Sequence, residues 1–208
     1  MAQDIRIGVL ALQGDVDEHL NMLRECGVEA LRVRTPEEIA GVDGLIIPGG
    51  ESTTIGKLME RFGVDRAVKD AAAAGKPVFG TCTGMIVLSR EIIGSHQPRL
   101  GLIDTAVVRN AFGRQVDSFE ADLHIPEIGP NPIRAVFIRA PWVESSGPEV
   151  AILASVNGKG VLARQGPILV SAFHPELTAD RRVHEYFIRM VREARAAPAE
   201  APSHIPAR

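Results

Sequence analysis

Val78-Phe-Gly-Thr-Cys82-Thr-Gly84-Met-Ile places a cysteine between two glycines where an apolar strand runs into a helix. This is the cysteine form of a nucleophile elbow: the glycines permit a tight turn, and the helix N-terminus beyond it favours a thiolate. A small buried cysteine in a Gly-rich turn is the plainer alternative. The second cysteine, Cys26, ends an amphipathic segment beside Gly27 and reads as core.

A thiol nucleophile needs a base, and the chain has six histidines. His19 and His184 fall in predicted helices, His96 and His124 in or near loops, and His204 near the C-terminus; each reads as a surface or capping residue. His174 differs, because it ends the apolar run Ile168-Leu-Val-Ser-Ala-Phe173 and precedes Pro175-Glu176. In an extended segment residues i and i+2 face one side, so Glu176 can hold one imidazole nitrogen while the other faces a thiol. The candidate catalytic set is therefore Cys82, His174 and Glu176, in the order nucleophile, base, orienter.

A third feature is Leu45-Ile-Ile-Pro-Gly49-Gly50-Glu51-Ser52-Thr53-Thr54, an apolar strand ending in a Gly-Gly turn before a helix. Such a turn can aim backbone N–H groups at an anion. Gly49 and Gly50, with the N–H of Thr83, would then form an oxyanion hole. A phosphate-binding loop is excluded by spacing: Gly56 lies too far from Gly50 for that motif, and Leu58 follows Lys57 where Ser or Thr is required. A plain turn with Ser52 as the helix cap is the remaining alternative.

The elements that must position these residues follow from hydrophobic patterning. Strand-like runs at Ile5 to Leu12, Ala30 to Val33, Gly44 to Pro48 and Pro77 to Gly80 alternate with helix-like stretches beginning near Val16, Thr53 and Met85, the last running to Ile93. That alternation predicts an α/β fold with a doubly wound, mainly parallel sheet and helices on both faces. From Leu102 onward, runs at 102–109, 118–124, 135–139 and 150–156 have no helix between them. Gly160 to Arg164 and Ile168 to Phe173 read as a hairpin, and together these predict an antiparallel extension. A final helix spans Arg181 to Arg195, with Val183, Phe187, Met190 and Val191 on one stripe. Residues 1–195 read as one domain and 196–208 as a disordered Ala/Pro-rich tail.

Composition excludes several classes of function. With 208 residues, 45% hydrophobic and 24% charged, the chain can bury a sizeable core. A formal charge of −3 and the lack of a Lys/Arg block argue against a nucleic-acid partner. No run approaches the roughly 18 apolar residues of a membrane helix. Ile7 to Leu12 reads as a first core strand rather than a signal peptide. Two cysteines without ligand spacing suggest neither a disulfide framework nor a metal site, and a cytoplasmic location follows.

Together these pieces resemble the class I glutamine amidotransferases, and more narrowly the glutaminase subunits of pyridoxal 5'-phosphate synthases. The resemblance covers almost all of residues 5–195. It rests on Leu10-Ala-Leu-Gln-Gly14, Pro48-Gly-Gly-Glu-Ser-Thr-Thr54, Gly80-Thr-Cys-Thr-Gly84, the block from Arg109 to Glu120, Phe137-Ile-Arg-Ala-Pro141 and Phe173-His-Pro-Glu-Leu177. It implies that Cys82 attacks the carboxamide of L-glutamine, that His174 carries the proton to the leaving ammonia, and that a glutamyl thioester is then hydrolysed. It also implies a glutamine pocket lined by Gly50, Glu51, Ser52, Arg109, Ile138 and Arg139, and no metal or cofactor. For the arginines the chemistry agrees, since an α-carboxylate suits a forked guanidinium. Thr83 departs from the family, which usually has Ala there; its backbone N–H is retained.

Ammonia released to water near neutral pH is largely protonated and loses its nucleophilicity, so direct transfer to an acceptor enzyme is favoured. The resemblance implies that this partner is a synthase subunit with a (β/α)8 barrel, in a complex of twelve copies of each subunit. Another thiol hydrolase on the same scaffold, or a non-catalytic regulatory subunit, are the competing readings.

Overall fold

The computed structural model describes residues 5–111 and 118–197. Its first half winds β1 (Arg6–Leu10), α1 (Val16–Glu25), β2 (Glu29–Val33), α2 (Pro36–Ala40), β3 (Gly44–Ile47), α3 (Ser52–Arg61), α4 (Val64–Ala73), β4 (Val78–Thr81) and α5 (Thr83–Leu88). The second half contains β5 (Ser89–Ile92), β6 (Ile103–Val108), β7 (Ser118–Leu123), β8 (Ile133–Ile138), β9 (Trp142–Ser146), β10 (Ala151–Val156), β11 (Lys159–Gln165), β12 (Ile168–Ser171) and α6 (Arg182–Ala196).

One ten-stranded sheet runs in the order β2-β1-β3-β4-β12-β11-β9-β6-β5, with β10 on β11. The strands β2, β1, β3, β4 and β12 pair in parallel, and β12, β11, β9 and β6 continue antiparallel. The expected α/β architecture is therefore present. In β3 and β4 every residue is buried, as a strand covered on both faces requires. Phe79 packs its ring against His184 and Phe187 of α6. A Cβ on the next residue, Gly80, would press on Gly84 and Leu88 of α5. Successive residues of β4 thus face helices on opposite sides of the sheet.

Several expectations need correction. The helix expected from Met85 to Ile93 stops at Leu88, because its last carbonyls are taken by another strand of backbone: Leu100 N–H donates to Val87 and Leu102 N–H to Leu88, both at 2.7 Å. Residues 89–92 pair with β6 instead. The runs at 118–124 and 135–139 do not join the main sheet; β7 and β8 form a separate two-stranded sheet. Helices α2 and α4 and strand β9 were not anticipated. A capping box holds α2, with Thr35 accepting from Glu38 N–H and the Glu38 carboxylate reaching back to Thr35 N–H. The final helix runs one residue past 195, and the proposed tail from residue 198 lies outside the described residues.

Candidate active site

Four loops at the carboxyl ends of parallel strands converge, where ligand sites of open α/β sheets form. Gln13 to Asp15 follow β1, Gly49 and Gly50 follow β3, Cys82 follows β4, and His174 follows β12. Arg109 and Asn110 arrive from the end of β6, and Ile138 and Arg139 from the end of β8. The β7/β8 hairpin is fastened to this edge by packing. Phe119 stacks on Phe137 at 4.5 Å between ring centroids, Phe137 meets Phe173 edge-on, and His174 N–H donates to the Val136 carbonyl at 2.9 Å.

Cys82 stands between β4 and α5 with φ 48° and ψ −100°, in the left-handed region that ordinary residues avoid. The turn is tight because Gly84 lies where a Cβ would collide with the Ile47 carbonyl, and Gly80 where one would collide with Gly84. The elbow leaves Cys82 only 8% exposed yet lining a cleft of about 390 Å³. Three of the four non-glycine residues with positive φ among the described residues, Cys82, Asn110 and Arg139, line this cleft.

His174 Nδ1 lies 2.8 Å from Glu176 Oε1, within buried surroundings. The contact arises differently from the expected strand geometry. β12 ends at Ser171, and residues 175–177 form a 3-10 turn that swings Glu176 back under the ring. Burial works against a charged imidazole, but the neighbouring Cys82 thiol and the Glu176 carboxylate bonded to Nδ1 outweigh it, so His174 is pushed up to about 10. Burial raises the Glu176 carboxyl, against the pull of its bond to His174.

The Gly-Gly turn packs directly on this base. A Cβ at Gly49 would lie 2.6 Å from His174 Cε1, and Gly50, at φ 154°, leaves room for the Gln13 side chain. Gln13 Oε1 accepts from Glu51 N–H at 2.7 Å, Asp15 N–H donates to the Gly49 carbonyl at 3.2 Å, and Thr83 Oγ1 donates to the Gly50 carbonyl at 2.5 Å. The α3 cap is Glu51, accepting from Thr54 N–H at 3.2 Å, rather than Ser52.

Of the residues expected to bind glutamine, Gly50, Glu51, Ser52, Arg109, Ile138 and Arg139 all line the cleft. Thr83 lines it too; Gly49 and Glu176 stand behind His174. Ser52 and Arg109 share a support that sequence reasoning missed: Gln97 Oε1 accepts from Arg109 Nη1 at 2.5 Å and from Ser52 Oγ at 3.4 Å. Asp15 was also missed; its Oδ2 comes within 3.5 Å of His174 Nδ1. Asp15, His174 and Glu176 form a group of potential metal ligands whose donor atoms lie within 4.8 Å of one another. The His174 nitrogen in that group is the one engaged by Glu176.

Two histidines overturn the reading as surface or capping residues. His19 and His184 are fully buried between α1 and α6, with His19 Nδ1 and His184 Nε2 2.9 Å apart. Their place in the stripes Val16-His19-Leu23 and His184-Phe187-Val191 was the available signal. Cys26 is half-buried at the edge of the core.

The sequence profile of the SNO glutamine amidotransferase family matches residues 9–193. The pyridoxal 5'-phosphate synthase subunit PdxT of Carboxydothermus hydrogenoformans is 57% identical over 187 residues, 90% of this chain and 98% of that one. The subunit of the same name from Moorella thermoacetica is 56% identical, covering 90% of this chain and 100% of its own length. A crystal structure of a glutamine amidotransferase superposes with a TM-score of 0.85 at 49% identity, covering 89% of this chain and 98% of that one.

Proposed function

Because the chain belongs to the SNO glutamine amidotransferase family, we propose that it is the glutaminase subunit of a pyridoxal 5'-phosphate synthase, hydrolysing L-glutamine to L-glutamate and ammonia. The observation that carries this is the strained Cys82 elbow facing a cleft whose base, His174, is held by Glu176 at 2.8 Å. Residues 1–195 are the glutaminase domain in this reading.

Cys82 Sγ adds to the side-chain carboxamide carbon of glutamine, and the oxyanion is received by the Thr83 N–H and the Gly49-Gly50 turn. His174 gives its proton to the departing nitrogen, leaving a glutamyl thioester and ammonia. A water then attacks the thioester with His174 as base, and glutamate leaves as Cys82 is restored. Glu176 fixes the imidazole throughout, because its Oε1 accepts a hydrogen bond from Nδ1–H, which stays on the ring and leaves Nε2 to exchange protons with the reacting groups. Arg109 and Arg139 receive the α-carboxylate, and Glu51 receives the α-ammonium. Arg109 is preset for this by Gln97 at 2.5 Å and by Glu51 at 3.8 Å.

The ammonia passes to a synthase subunit with a (β/α)8 barrel, in an assembly of twelve copies of each, in the cytoplasm. Among the described residues no helix is long and apolar enough to cross a membrane. Docking of that partner rearranges the Gly49-Gly50 turn, with Gln13 near the contact. Gln13 is the side chain that fills the space over Gly50 and bonds the next N–H, which supports this placement.

An electrophilic glutamine analogue tests the assignment. It is expected to label Cys82 stoichiometrically in the complex and to be blocked by L-glutamine. Labelling unaffected by glutamine, with cleavage of peptides instead, would favour another thiol hydrolase, and no labelling at all a regulatory subunit.

A further inference from the structure

His19 and His184 take no part in the steps above, yet both are wholly buried, and His19 comes within 3.4 Å of Glu176. His184 Nε2 lies 2.9 Å from His19 Nδ1. His19 Nε2 lies 3.1 Å from Thr81 Oγ1 and 3.4 Å from Glu176 Oε2. The other carboxylate oxygen, Glu176 Oε1, holds His174. Buried Glu176 Oε2 makes no hydrogen bond within the described residues, and neither does His184 Nδ1; His19 Nε2, at 3.4 Å, is the ring nitrogen within ion-pair distance of that oxygen.

Proton positions in this row are constrained. Burial keeps both rings neutral: it lowers His184 to about 3, and with the charges of His184 and His174 it lowers His19 well below the ordinary range. Each neutral ring has a single N–H. If His184 carried its proton on Nδ1, that buried donor would face no acceptor. If it carries the proton on Nε2, only a bare ring nitrogen is left unpartnered, which is the lesser cost. The Nε2–H of His184 then donates to His19 Nδ1. The His19 proton is thereby placed on Nε2, facing Thr81 Oγ1 and Glu176 Oε2.

We propose that His19, oriented by His184, is a positioning residue for glutamine hydrolysis: its Nε2–H steadies the free oxygen of Glu176, and through Glu176 fixes the ring of His174. This extends the triad inward from the cleft to α1 and α6, and it rests on the glutaminase reading above.

The test uses the chain in complex with its synthase subunit and measures glutamate release from L-glutamine. His19→Leu is expected to lower kcat by roughly tenfold to a hundredfold, the range for a hydrogen bond to a charged group, with KM little changed. His19→Gln, which keeps a side-chain N–H, recovers part of that loss. In a Glu176→Gln background His19→Leu should cost nothing further, because the two act through one contact. A raised KM at unchanged kcat, or fully additive losses, overturns the proposal.

A second readout needs no variant. Nitrogen-15 spectra of the histidines in the wild-type chain should show His19 and His184 as neutral rings protonated on Nε2. A His19 proton on Nδ1 contradicts the proposal even if the variants fail to fold. A wild-type complex without glutaminase activity would instead count against the function, and the His19 tautomer would still decide the positioning contact.

Discussion

Thr83 Oγ1 bonds the Gly50 carbonyl at 2.5 Å, so the residue after the nucleophile is tied directly to the glycine turn beside it. Thr83→Ala removes this tie and keeps the backbone N–H. The unfolding free energy should fall by about 1 kcal/mol, the net worth of one hydrogen bond. Glutamine hydrolysis by the isolated chain should rise toward that of the complex, since the turn is freer to reorient. Denaturant titration and paired rate measurements check both; a complex-to-isolated rate ratio equal to or above the wild-type value would contradict the tie.

The triad members should differ in their effects. His174→Asn removes the proton carrier and should reduce kcat by about 10³-fold, within the range for acid–base catalysis. Glu176→Gln keeps the His174 ring in place by one remaining contact and should lose less. Steady-state kinetics on the complex give the order, and a Glu176→Gln loss exceeding that of His174→Asn would reverse the assigned roles.

Arg109, proposed to receive the α-carboxylate of glutamine, lines the cleft, bonded to Gln97 and 3.8 Å from Glu51. Arg109→Lys keeps the charge but loses the fork, so KM for glutamine should rise while kcat falls little. A kcat effect with KM unchanged would move Arg109 from binding to chemistry.

The buried histidines give stability two opposite pH dependences. His174 is raised in the folded state, so its contribution is complete below about pH 6.5 and is lost as pH rises toward about 10. His184 is depressed to about 3, so the folded state loses stability as pH falls from about 6.5 toward that value. Against His184→Gln, the wild type should lose on the order of 1.4 kcal/mol more per pH unit across the acid window. Against His174→Asn, its advantage should shrink on the alkaline side. Chemical denaturation at a series of pH values measures both slopes, and slopes of the opposite sign would refute the assignment.

Much of the site was legible because it uses strand ends and glycines. Gly80 and Gly84 flank Cys82 for a steric reason that the structure repeats, whereas the run 168–173 read as a strand to its last residue stops at Ser171, and His174 follows in the loop beyond it. What escaped reading lay in tertiary contact. Nothing local in residues 89–93 says that residues 100–102 will capture the last helical carbonyls and turn the segment into a strand. Gln97 and Asp15 reach the site from separate loops, with no motif to mark them. The Ala-rich run of α4 shows a weak stripe, only Val64 and Val68 being buried in it. His19 and His184 were legible and misread: they occupy apolar-stripe positions, which places a histidine inside.

The most direct test of the central claim is glutamate release from L-glutamine by the purified chain, with and without its synthase subunit, beside Cys82→Ala. The account expects strong hydrolysis with the partner, weak hydrolysis without it, and none from Cys82→Ala in either state, although that variant still forms the complex. Undiminished hydrolysis by Cys82→Ala, or a stable wild-type complex that releases no glutamate, would contradict it.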